Sequence, residues 1–263
     1  ITFFLFFFFF VMFAGAGSTF NQMFGISAAA GSVIMAIAVI LTLLLNTNKI
    51  IGIIATITPY LIAIIFIILI YSIFTMDLSL AEADALAREE TSATSNWLLS
   101  AFLYVSYNLA AGAALLIIMT GNERNKKVAG MGGILGGLML GVLIILIHIA
   151  MLVRIDIVGG KEMPTLELAS QIHPAVGLLT AIALLGMIYN TAVGMLYSFT
   201  VRFIAPESKS FRPAVIVIGI LGFIASMVGF TTLVGSVYVV MGYLGFALII
   251  LAIAAWLRKP VRK

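Results

Sequence analysis

Of the 263 residues, 63% are hydrophobic and only 9% are charged, with a mean hydropathy of +1.24 and a formal net charge of +4. Ordinary soluble domains carry about 25% charged residues, so no water-soluble core accounts for this much apolar surface and the bilayer is the solvent. The absence of Cys excludes disulfides and thiolate metal sites.

Eight apolar runs are each long enough to cross hydrocarbon as a helix: 3–24, 26–46, 50–74, 96–120, 130–153, 172–203, 214–233 and 235–257. Spanning backbone must satisfy its own hydrogen bonds, and these runs are too long and too uniformly apolar for barrel strands. The predicted fold class is an all-α polytopic membrane protein, a single transmembrane domain over 1–263 with longer connections at 75–95 and 154–171. Lys and Arg in the connections set the orientation. With the ends numbered alternately from the N-terminus, eleven fall on the first side and only Arg88, Arg154 and Lys161 on the other. Both ends of the chain are expected in the cytoplasm. The 75–95 connection, with Asp77, Glu82, Asp84, Glu89 and Glu90, is expected outside. The basic residues therefore mark a membrane face and not a nucleic-acid partner. The chain opens at Ile1, already within a span, with neither a basic n-region nor a cleavage site, and reads as the C-terminal part of a longer protein.

In chain order, span one begins with a Phe run, Phe6 to Phe10, read as a lipid-facing surface. Its second half changes character: Gly15, Ala16 and Gly17 strip away bulk, and Ser18, Asn21, Gln22 and Gly25 share one helical face. That half serves either close helix packing with polar glue or a cavity wall. Span three carries Thr58-Pro59 and is expected to kink there.

Span four, SAFLYVSYNLAAG at its centre, has no charge but carries Ser100, Tyr104, Ser106, Tyr107 and Asn108. Ser100, Tyr104, Tyr107, Asn108 and Ala111 follow the spacing of a single face, which Ser106 cannot join while the helix stays regular. Local unwinding around 104–109 is expected to free peptide groups and turn two half-helix ends inward, a device that holds solutes and cations in transporters.

Span five opens on GMGGILGGLMLG, whose glycines spaced four apart form a packing stripe. His148 in the same span is an interfacial hydrogen-bonder or, as the weaker reading, a proton relay. PTLELAS in the next connection forms two turns with one apolar face, either resting on the bundle or closing over a vestibule. His173 and Pro174 begin span six, in which Gly186, Asn190, Gly194, Tyr197 and Ser198 share a face beside Thr191.

The stretches NWLLSAFLYVSYNLAAG, MPTLELA and YNTAVGMLYSFTVR resemble the YkvI-like bacterial membrane proteins, a branch of the amino acid–polyamine–organocation superfamily with the LeuT-type fold. The resemblance extends from AGAGSTFNQMFG onward. It implies a bundle of two inverted five-helix repeats in which these eight spans match helices three to ten, with the first two absent from this sequence. It also implies that spans one, four and six surround the solute and that the 154–171 connection is an outer lid.

Substrate contacts are accordingly expected from Gly15, Gly17, Ser18, Tyr104, Ser106, Tyr107 and Asn108, and cation contacts from Asn190, Thr191 and Ser198. Asn190 stands where a hydroxyl is usual in that fold. No acidic residue lies in any span, which leaves His148 as a proton carrier here. The function expected is ion-coupled secondary transport, by alternating access, of a small neutral or zwitterionic, amino-acid-like solute. The alternative is a ligand-sensing or scaffold subunit of the same fold. Enzyme motifs are missing. No cofactor is expected beyond a coupling Na+ or H+, and the partners are the solute and the lipid bilayer of a plasma membrane.

Overall fold

The Phe-rich first span forms the centre of the molecule, not its lipid face. The computed structural model describes residues 2–45, 57–90, 92, 94–121 and 125–258. Eleven helices and no strand occur among the described residues: α1 (Thr2–Phe24), α2 (Ala28–Leu45), α3 (Ile57–Phe74), α4 (Leu80–Glu89), α5 (Trp97–Gly121), α6 (Lys126–Leu152), α7 (Ile155–Val158), α8 (Pro164–Ile172), α9 (Pro174–Thr200), α10 (Phe211–Ser226) and α11 (Phe230–Arg258). Five of them, α1, α2, α6, α9 and α11, are long and apolar enough to cross a membrane. The other three predicted spans fall on α3, α5 and α10, helices of 18, 25 and 16 residues. Thr58-Pro59 falls in the first turn of α3, which begins at Ile57, a place where proline is tolerated without a kink, and residues 46–56 before it are not among those described.

Helix α1 packs against α2, α9, α10 and α11, and 72% of its apolar window is buried, against 6% for α6. The Phe run makes this possible. Phe9 and Phe13 are fully buried in a core with Val39 of α2, Leu196 of α9 and Val215 of α10. Phe6 meets Phe9 edge-on at 5.3 Å between ring centroids, a geometry that uses the ring quadrupoles as well as area. Close packing of one ring is bought with a glycine: a Cβ on Gly222 of α10 would strike the Phe9 ring. Glycine also allows α1 and α2 to meet. A Cβ on Gly17 would overlap the Ala28 carbonyl and the Ser32 hydroxyl, and one on Gly31 would lie 2.7 Å from Phe20 Cβ. Gly25, at φ +67°, ends α1.

Span seven ends earlier than expected. Met227 and Val228 look like its continuation, but Gly229 at φ +98° turns the chain and α11 starts at Phe230. Hydropathy sees no break there because the turn itself is apolar. The glycine stripe of α6 also departs from expectation. Gly130, Gly132, Gly133, Gly136, Gly137 and Gly141 have open space where a Cβ would be, so no described helix packs into the stripe.

Three short helices cluster at one end of the bundle. α8 buries Leu166, Leu168 and Ala169, and its neighbours α3, α6 and α7 supply Ile64, Ile68, Ala150 and Val158. α4 is closed by a capping box: Glu82 N–H donates to Ser79 Oγ at 3.3 Å, and the Glu82 carboxylate accepts from Ser79 N–H at 2.8 Å. The Ser79 hydroxyl and backbone bonds hold the Glu82 carboxyl below the usual glutamate range. A depressed folded value means that the cap contributes fully above the unfolded glutamate pKa of about 4.3. Its contribution is lost as pH falls through the folded value. Ser79→Ala, which removes the hydroxyl but keeps the backbone N–H, is expected to raise the Glu82 carboxyl toward the ordinary range and to fray α4, as read by an NMR titration of the carboxyl.

Candidate functional site

Helix α5 runs without interruption from Trp97 to Gly121, so the expected unwinding at 104–109 does not occur. The reason is local. Ser106, fully buried, donates to the Leu103 carbonyl at 2.9 Å and approaches the Gly242 carbonyl of α11 at 2.7 Å. Asn108 Nδ2 donates to the Tyr104 carbonyl at 2.8 Å. Ser106 and Asn108 thus find partners in regular helix, and the backbone need not open to supply them. Ser106 is therefore a packing residue. It belongs to a parallel α5–α11 contact in which Gly242 faces Leu103 and Gly245 faces the Ser106 carbonyl, steps of three residues in both helices.

The rest of the polar load divides. Tyr107 turns toward α1 and α11, with its ring 4.8 Å from that of Tyr238 and 6.2 Å from that of Phe8. Tyr104 sits edge-on to Tyr107 at 5.4 Å and is 42% exposed, and Asn108 beside it is also exposed. This Tyr104–Asn108 face of α5 has no cover among the described residues.

The α1 candidates prove to be mostly structural. Gly17 is filled by α2, and Ser18, 2% exposed, is turned back on the Ala14 carbonyl at 3.3 Å. Neither has room for a solute. Gly15 differs: its open side meets the Phe230 ring of α11, 3.2 Å from an added Cβ, and the Met163 methyl at 3.7 Å.

On α9 the core-facing side is Ala192, Val193, Leu196 and Thr200, all buried. Asn190, Thr191 and Ser198 are half-buried and make no side-chain hydrogen bond among the described residues, while Gly194 between them is exposed with open space beside it. Thr191 and Ser198 share a direction but stand two turns, roughly 10 Å, apart along the axis. A hard cation binds oxygens at about 2.3–2.6 Å, so the three residues cannot ligate one ion together. The expected stripe is real as a face, but it opens away from the core instead of into it. Met195 at its edge reaches the cluster of Phe8 and Met241, as does Met12 of α1. The open faces of α5 and α9 thus flank α1, joined across it by Met12, Met195 and Tyr107.

At the end bearing the short helices, Gln22 of α1 grips the chain just before α8. Its Nε2 donates to the Met163 carbonyl at 3.0 Å, and its Oε1 accepts from Met163 N–H at 3.1 Å. A recess of about 420 Å³ lies between α4 and α7, lined by Leu86, Glu89, Glu90, Ile155, Asp156 and Gly159. Arg154 beside it is buried, 3.9 Å from Asp156 and bonded to Thr75. His148 is exposed on α6, which packs against α3 and the short helices and not against the α5 or α9 faces. His173 begins α9 as expected, with Nδ1 accepting from Ala175 N–H at 3.1 Å.

Sequence reasoning overlooked Tyr238, Met195 and the Gln22–Met163 pair. The first two sit in apolar runs with no periodic signal. The third joins residues 141 positions apart.

Such a bundle, with several apolar helices long enough to span and its backbone hydrogen bonds made within helices, is a membrane-embedded protein. Over 250 residues the chain is 26% identical to the uncharacterized membrane protein YkvI of Bacillus subtilis (strain 168), an alignment covering 91% of this chain and 67% of that protein. No protein-family model matches the chain, and no solved structure gives a significant match.

Proposed function

We propose that these residues form the membrane domain of a secondary transporter for a small neutral or zwitterionic, amino-acid-like solute, coupled to Na+ or H+ and working by alternating access. In this reading the eight apolar segments all cross a bacterial plasma membrane in a LeuT-type arrangement, both ends of the chain are cytoplasmic, and no catalytic residue or cofactor is required. The observation that carries it is the uncovered Tyr104–Asn108 face of α5 at membrane depth. Polar side chains at that depth are costly against lipid and mark a water-filled path or a ligand. The half-buried Asn190–Ser198 face of α9 on the other flank of α1 adds amide and hydroxyl groups. Uncharged donors, acceptors and aromatic faces suit a solute without net charge. The solute is held by side chains of continuous helices and not by bare peptide groups.

The direct experiment reconstitutes the full-length protein into proteoliposomes and imposes a Na+ or proton gradient. Accumulation of a labelled amino acid above its equilibrium level supports transport. Saturable binding without accumulation supports the second reading, a ligand-sensing subunit, and neither would exclude both. Orientation has its own test. A single cysteine at Asp84 should react with an impermeant thiol reagent in intact cells, whereas one at Ser208 should react only after permeabilisation. The reverse pattern would overturn the assigned sidedness.

A further inference from the structure

The link between α7 and α8, residues 159–163, crosses the gap between the ends of α1 and α11 and is pinned there by few, polar contacts. Gln22 pairs with both main-chain groups of Met163. The same amide lies 3.4 Å from Glu167 Oε2, which in turn is 3.7 Å from Lys161 Nζ. Thr231 of α11 donates to Glu162 at 3.3 Å. The Met163 side chain, thus positioned, covers Gly15 together with Phe230.

The two ends of the link behave differently. Behind it, α8 is anchored by buried Leu166, Leu168 and Ala169 and by Ser170 against Gly177 of α9. Ahead of it stand Gly159, packed against the Glu90 carboxylate and the Ile155 carbonyl, and then Gly160. Gly160 adopts φ +68°, a conformation that a side chain disfavours, and has open space around it. The apolar burial belongs to α8, and the link itself is held by exchangeable hydrogen bonds next to a permissive backbone position.

We propose that residues 159–163 are a releasable strap, latched by Gln22, that moves Met163 off Gly15 while α8 stays docked. The strap, and not the PTLELAS helix, is then the moving part at this end of the bundle. Two hydrogen bonds to one residue are the latch. Their loss shifts the strap toward its open state by about tenfold, taking a net worth near 0.7 kcal/mol for each.

The test uses the full-length protein in membranes with one reporter cysteine at a time, these 263 residues containing none of their own. A cysteine at Met163 should react slowly with a small thiol reagent when Gln22 is present and about ten times faster in the Gln22→Ala background. A cysteine at Ala169, fully buried under α8, should react equally slowly in both. Gln22→Glu keeps an acceptor for Met163 N–H but cannot donate to the Met163 carbonyl, and should accelerate labelling at 163 by about threefold. Equal rates at 163 with and without Gln22 would overturn the latch. A parallel rise at 169 would also overturn it, because the whole of α8 would then be loosening. Neither readout depends on whether the protein carries a solute.

Discussion

Gly245→Val is expected to lower the thermal unfolding midpoint of the detergent-solubilised protein sharply, at a cost of about 3 kcal/mol. A Cβ at this position would overlap the Ser106 carbonyl oxygen and lie 3.1 Å from the Tyr107 nitrogen. Both atoms are backbone within a continuous helix, so no rotamer change relieves the clash. Helix α5 must back away from α11, and the Ser106–Gly242 contact is strained or lost with it. Ser106→Ala, which removes the hydroxyl without adding bulk, should cost only about 0.6 kcal/mol, the usual worth of an interhelical hydrogen bond in a membrane bundle. Gly137→Val supplies the control. It inserts the same side chain into α6, where nothing lies within reach, and should leave the midpoint unchanged. Comparable losses for the 245 and 137 variants would contradict the packing described.

Asn108→Ala should reduce solute-dependent uptake by at least about tenfold, equivalent to a loss of 1.4 kcal/mol in solute interaction. Expression and membrane insertion should be unaffected. The side chain donates to the Tyr104 carbonyl of its own helix and is exposed, so truncation opens no core cavity. Uptake that survives the substitution would remove α5 from the solute site. This variant separates from Ser106→Ala, whose effect must pass through α5–α11 packing and register first in stability. The contrast matters because the two residues are two apart in the same polar stretch yet face different surroundings.

Several elements were readable along the chain because they depend on short-range physics. The apolar runs predict the helices that fall on them, and PTLELAS predicts α8 with its buried Leu166, Leu168 and Ala169. His173-Pro174 predicts the start of α9, where Nδ1 and the fixed proline φ act within one turn. The single-face spacing of Tyr104 and Asn108 also holds, since 3.6-residue periodicity survives wherever a helix is regular. What failed were statements about what each face meets. Polarity at the centre of α5 suggested a broken helix, but Ser106 and Asn108 satisfy themselves on carbonyls three and four residues back. Of the two readings of the small residues on α1, close packing holds at Gly17, which α2 fills, so Gly17 does not line a solute site. The α6 glycines suggested a packing seam, and no described helix enters it.

The amino-acid order alone settled that this chain lives in a bilayer and where most of its helices begin and end, because hydropathy, helix caps and proline or glycine punctuation act over a few residues. Only the tertiary structure decided that the phenylalanines of α1 lie at the core, that Ser106 serves α11, and that Gln22 holds the strap before α8. Those outcomes depend on which distant segments come to lie side by side. In an almost uniformly apolar sequence, one lipid-compatible face looks much like another until a neighbouring helix is placed against it.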